Sequence, residues 1–83
     1  MLVEDQACII EFNGNKYDSR HGGPFDRGSA DSWYSRPRDP HFFLGDSYSG
    51  HEVTRELMTT DQIYAYLAGY DYNEQHGGKK DWN

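Results

Sequence analysis

Thr59 is followed three residues later by Gln62, and from there Ile63, Tyr66, Leu67 and Tyr70 recur at i, i+3, i+4 and i+7. The Thr/Gln spacing is a capping box, in which each side chain satisfies a backbone N–H that the first helical turn leaves open. The apolar recurrence places four large side chains on one helical face. Together they predict an amphipathic helix over about residues 60–76, which Gly77-Gly78 ends. Gly69 sits inside this helix at a cost of about 1 kcal/mol relative to alanine, which close packing against another element would offset. The rest of the chain must supply that partner.

It must do so as one domain, residues 1–83, because a chain this short buries only roughly 60 to 65% of its unfolded surface and cannot form two cores. Hydrophobic residues make up 35% of the chain, below the usual fraction of about 45 to 50%. Aromatic rings therefore carry much of the burial. Seven Tyr, four Phe and two Trp make up 16% of the residues, and each large ring can bury on the order of 150 to 250 Å².

The expected fold class is α+β. Cys8, Ile10 and Phe12 alternate ahead of Asn13-Gly14, a strong signal for a tight hairpin turn. This predicts an N-terminal β-hairpin over about residues 7–19, with Phe12 opposite Asn15. His21-Gly22-Gly23-Pro24 reads as a flexible break. Ser29 then reads as the N-cap of a short central helix over residues 30–34, with Asp31 in its favourable first turn, stopping before Pro37. Residues 38–50, punctuated by Pro40, Gly45 and Gly50, are expected to be extended or looping. A third strand is expected over about 52–57, with Val53, Arg55 and Leu57 on one side. The tail carries Lys79, Lys80, Asp81 and Trp82, and its ring is expected to dock on the body.

Eight Lys plus Arg against fourteen Asp plus Glu give a net charge of −6, a poor match to a phosphate backbone, so nucleic acid is not the default partner. The charge is uneven. Residues 20–41 hold four Arg against three Asp, a local +1, while the remainder is −7. Such a segment on an acidic body favours anionic or carboxylate-rich partners locally. A single Cys8 forms no intramolecular disulfide, and Glu4 and Asp5 stand where a signal peptide would be positive, so the expected setting is cytoplasmic. No apolar run approaches a membrane span.

No catalytic constellation emerges. The four His lack the spacing of preformed zinc sites, Cys8 belongs to an apolar strand, and Gly22-Gly23-Pro24 lacks the Lys and helix start of a phosphate loop. Neither a cofactor nor a metal is expected. The densest set of recognition-type side chains is residues 26–34, Asp-Arg-Gly-Ser-Ala-Asp-Ser-Trp-Tyr, continued by Arg36 and His41. Arg, Trp and Tyr dominate binding hot spots, which makes Arg27, Trp33, Tyr34, Arg36 and His41 the candidate binding residues. The competing reading puts Trp33 or Tyr34 in the core and Arg27 on a neighbouring carboxylate.

This block, with Pro40-His41, Ala65-Tyr66, Gly69-Tyr70-Asp71, Asn73 and Lys80-Asp81-Trp82, resembles an uncharacterised family of small proteins of bacteria and their phages. The resemblance covers about residues 24–82 and leaves the hairpin outside. The family usually shows Gly-Asp-Phe ahead of Lys-Asp-Trp, where this chain has Gly77-Gly78-Lys79. It implies no assigned activity. Residues 65–70 also resemble part of ribosome modulation factor, a small basic protein, whereas this chain is acidic. The expected function is a non-enzymatic protein-interaction module, with another protein as partner. The alternative is a nucleic-acid- or ribosome-associated regulator using the same Arg/aromatic segment.

Overall fold

The computed structural model of this protein describes residues 9–44 and 51–80. Cys8, Asp81 and Trp82, on which two of the expectations above bear, lie outside them.

The hairpin forms as the spacing predicts. Strands β1 (Ile9–Phe12) and β2 (Asn15–Asp18) are antiparallel with Phe12 opposite Asn15. Asn13 and Gly14, at φ 53° and 83°, take the two left-handed conformations that such a two-residue turn requires.

The central helix differs from the expectation in its start and in its cap. Helix α1 spans Pro24–Trp33 with Gly23 as N-cap, and Ser29 lies inside it. The segment read as a break is the helix entry. Proline suits the first helical position, where its fixed φ is already helical and its missing N–H is no loss. Asp26, in the first turn, accepts the Gly22 N–H at 2.9 Å and folds that entry turn onto the helix. The helix ends before Pro37, as expected, through a Schellman arrangement. Arg36 N–H donates to the Asp31 carbonyl at 2.8 Å and Ser35 N–H to the Ser32 carbonyl at 3.0 Å, with Ser35 at φ 60°.

Residues 38–50 contain a strand that the sequence pattern did not reveal. Strand β3 (His41–Phe43) pairs antiparallel with β4 (Glu52–Thr54), Phe42 opposite Val53. The third strand, expected over 52–57, is therefore half as long, and Arg55–Leu57 forms a single 3₁₀ turn. Val53 is buried while Leu57 is 70% exposed, so the alternation read across them does not describe one buried face. On its other side β3 is tied to the entry of α1, where Phe43 N–H donates to the Gly22 carbonyl at 2.8 Å.

Helix α2 (Thr60–His76) carries both bonds of the capping box, Gln62 N–H to Thr59 Oγ1 and Thr59 N–H to Gln62 Oε1. Tyr66 and Tyr70, with Ile63 and Leu67 beside them, pack on Phe42, Val53 and Met58 of the β3–β4 side. A second cluster joins Ala68 and Tyr72 to Phe12, Phe25, Ile10 and Tyr17 of the hairpin side. One helix thus serves two small cores, and α1 lies across it.

That crossing brings backbone onto backbone. A Cβ on Gly28 would lie 2.0 Å from the Tyr66 carbonyl oxygen, and one on Gly69 would lie 2.0 Å from the Phe25 carbonyl oxygen. Neither oxygen can move without disturbing a helix. At an exposed site Gly→Ala would stabilise a helix by about 1 kcal/mol. Here the sign reverses: Gly28→Ala and Gly69→Ala should each destabilise by about 3 kcal/mol in urea denaturation. Stabilisation by either substitution would mean that the helices do not touch in this way.

Candidate functional site

The end of α1 gathers the polar groups that the chain buries. In a helix of this length Asp31 falls in the last turn, where the helix dipole disfavours a carboxylate by about 0.3 to 1 kcal/mol. Its position reflects its partners. Asp31 is 3% exposed; its Oδ2 accepts the Tyr66 hydroxyl, its Oδ1 lies 3.5 Å from Arg36 Nη1, and its Oδ2 lies 3.9 Å from His41 Nδ1. The Tyr66 hydroxyl in turn accepts Asp39 N–H at 3.0 Å. One buried acid therefore joins α1, α2, the connecting loop and β3.

Burial, and secondarily the bond to Asp31, pushes the Tyr66 phenol above its ordinary range, so at neutral pH it is a permanent donor. His41 Nδ1 lies 2.7 Å from the Asp39 carbonyl. With carbonyl and carboxylate both near Nδ1, the proton belongs on that nitrogen. Asp31, Arg36, Pro37, Asp39 and His41 line an open cleft of about 260 Å³.

A second network lies one turn along the same crossing. Buried Ser32 donates to Glu74 at 2.7 Å and accepts from Asn73 Nδ2 at 2.9 Å. Lys79 reaches the Ser32 carbonyl at 3.0 Å and pairs with Glu74. The pairing with Lys79, then the Ser32 hydroxyl, holds the Glu74 carboxyl below the usual carboxylate range. Gly77 ends α2, and a Cβ there would meet Asn73 Oδ1 at 1.9 Å. The residues after the helix therefore return to α1, with Lys80 N–H on the Trp33 carbonyl at 2.7 Å.

The five candidate binding residues separate. Arg27 is 8% exposed and its guanidinium bonds Asp26 at 3.0 Å, which places it inside the fold and away from the cleft. Trp33, the last residue of α1, is 41% exposed. Tyr34 is half-buried beneath Arg36, whose guanidinium carbon stands 4.7 Å from the ring centre. Arg36 and His41 meet in the cleft. Asp31, Asp39 and Tyr66 belong to the same site, and the sequence did not mark them as such. Asp31 reads as a first-turn acid when the helix is started at Ser29, and Tyr66 reads as core, which it also is.

A larger opening of about 400 Å³ lies between β2 and the start of α2, lined by Lys16, Asp18, Asp61 and Tyr64 among others. Those four side chains are exposed and none holds another in place, so size alone does not make it the better site. Among the described residues no three His, Cys, Asp or Glu side chains converge as a metal ion would need. No helix among them is long and apolar enough to cross a membrane.

Tyr66→Phe removes the donor to Asp31 and the acceptor for Asp39 N–H, and should cost about 2 kcal/mol in urea denaturation near neutral pH. A group whose pKa is raised by folding stabilises below its unfolded pKa, and that contribution is lost as pH rises. Wild-type stability should therefore decline through the alkaline range more steeply than that of Tyr66→Phe. Glu74 gives the opposite sign, because its pKa is lowered by folding. Its contribution is present above the unfolded pKa and is lost as pH falls through the folded one. The stability gap between wild type and Glu74→Gln should be open at neutral pH and close in acid below the usual carboxylate range; a gap independent of pH would refute the pairing.

Comparison with protein families, with curated proteins and with solved structures returns no match to this chain.

Proposed function

We propose that this chain is a non-enzymatic protein-interaction module whose binding face is the end of α1 and the turn that follows. The proposal includes a cytoplasmic setting and kinship with the small bacterial and phage proteins the sequence resembles, neither of which selects a partner. The observation that carries the reading is the exposure, within four residues of chain, of Trp33 and of an Arg36 that lies over the Tyr34 ring and is only lightly paired. The Arg36 side chain is 58% exposed, with one ion pair at 3.5 Å.

The turn beneath them is held from both sides, by the α1 terminal bonds and by the Tyr70 hydroxyl on the Arg36 carbonyl. Anchors on a rigid base lose little conformational entropy on binding. Asp31, the buried acid of the cleft, is engaged by the Tyr66 hydroxyl that it holds, which supports recognition over chemistry.

Nucleic-acid binding has less support. Arg27 and Arg38, two of the four Arg of the segment, are paired with Asp26 and Asp71 at 3.0 and 2.6 Å, and the whole chain carries −6, a poor basis for displacing counterions from a phosphate backbone.

Trp33→Ser and Arg36→Gln test the reading without touching the core, whereas Arg27 substitutions would confound binding with folding. Trp33→Ser should keep its stability within about 0.5 kcal/mol and Arg36→Gln, which loses the contact with Asp31, within about 1 kcal/mol, and each should lose the same protein from affinity captures out of native cell extract. Capture of an unchanged set of proteins by the folded double variant would overturn the assignment.

A further inference from the structure

We propose that the cleft beside Arg36 is a carboxylate subsite, seating one Asp or Glu side chain from an acidic segment of the partner. The proposal rests on the interaction reading above and names the chemistry that the face selects.

Arg36 is the arginine of this face with capacity left. Its guanidinium offers five N–H donors in a planar fork, and among the described residues it makes a single long contact, with Asp31 Oδ1 at 3.5 Å. Arg27 and Arg38 differ. Arg27 is buried on Asp26, while Arg38 lies over the Tyr70 ring at 4.3 Å and bonds Asp71 at 2.6 Å. The Arg36 guanidinium carbon lies 4.7 Å from the centre of the Tyr34 ring, and the Schellman turn holds the Arg36 backbone. A carboxylate is the group that matches such a fork with two parallel bonds. His41 borders the same cleft.

The space suits a side chain. A volume of about 260 Å³ falls below the roughly 300 to 1,000 Å³ of pockets that enclose whole small molecules. The lining carries two carboxylates against one guanidinium, but they act unequally. Asp31 is buried, with Oδ2 on the Tyr66 hydroxyl, and its Oδ1 draws on one Arg36 nitrogen only at 3.5 Å. Asp39 is the exposed acid of the lining, and it opposes a carboxylate where it would attract a cation. The −6 of the whole chain acts weakly over distance, because physiological salt screens beyond about 8 Å.

The opposed roles of Arg36 and Asp39 supply the test. Acetylated, amidated hexaglutamate is titrated into the full chain at physiological ionic strength, following the Arg36 side-chain N–H and the His41 ring C–H signals by NMR, with hexaglutamine and hexalysine as controls. Hexaglutamate should shift both signals saturably. Binding should weaken about fivefold in Arg36→Gln, the worth of an exposed ion pair, and tighten in Asp39→Asn. Equal binding of hexaglutamine, or tighter binding of hexalysine that Asp39→Asn weakens, overturns the proposal. So does loss of the cellular partner in Arg36→Gln when hexaglutamate never binds, a result that would leave the interaction module standing.

Discussion

Gly28 and Gly69 let α1 and α2 meet with a carbonyl of each helix in the place where the other would carry a side chain. The remainder of the architecture depends on that approach. With the axes this close, Phe25 reaches the hairpin-side cluster from α1, while Tyr66 and Tyr70 reach past α1 to the turn that leaves it. A wider crossing would separate Ser32 from Asn73 and Asp31 from Tyr66, and would bury those polar groups without partners. Unpaired burial costs about 1 to 3 kcal/mol per group, so the glycines and the polar networks stabilise each other. In a chain with few aliphatic side chains, backbone contact and hydrogen-bonded polar seams do part of what a larger apolar core does elsewhere.

Asp31 shows how closely this seam and the candidate site coincide. The Schellman turn brings the residue two past the helix cap back over the third residue from the end, a place where two apolar side chains commonly touch. Here those residues are Arg36 and Asp31. The contact that finishes the helix is an ion pair, one end buried and the other in solvent. The block of residues 26–34 is divided along its length between buried and exposed side chains. Asp26, Arg27, Gly28, Asp31 and Ser32 hold the fold. Trp33, Tyr34 and the following Arg36 shape the surface.

Hairpin and α2 were legible because each is specified by neighbours in sequence, Asn13-Gly14 in one and Thr59, Gln62 and the four apolar positions in the other. Their boundaries follow from local chemistry. Helix α1 was legible only in part, because Gly22-Gly23-Pro24 signals a break as readily as an entry turn, and because Gly28 lowers helix propensity where its use is tertiary. The β3–β4 pair is three residues long on each side, too short for alternation to emerge, and is held by Phe42 meeting Val53 and Tyr66. Arg36 and His41 were found from residue type. Their meeting with Asp31, Asp39 and Tyr66 depends on a crossing that no local pattern encodes.

Exposure of an apolar ring is not by itself a sign of a partner. Ile9, Leu44, Leu57 and Tyr64 are each more exposed than Trp33, and singly exposed apolar residues are ordinary on small proteins. Trp33 is set apart by its setting. Its carbonyl is tied down by Lys80 N–H, the next residue is stacked under Arg36, and the turn is bonded to α2 through the Tyr70 hydroxyl. Leu57, the most exposed of the five, sits on a single 3₁₀ turn that lacks any buried residue. Hot spots combine an anchor of large area with a directional donor on a base that does not reorganise. On this chain the end of α1 combines all three, and it does so because Asp31 and Tyr66, buried beneath it, hold the turn in place.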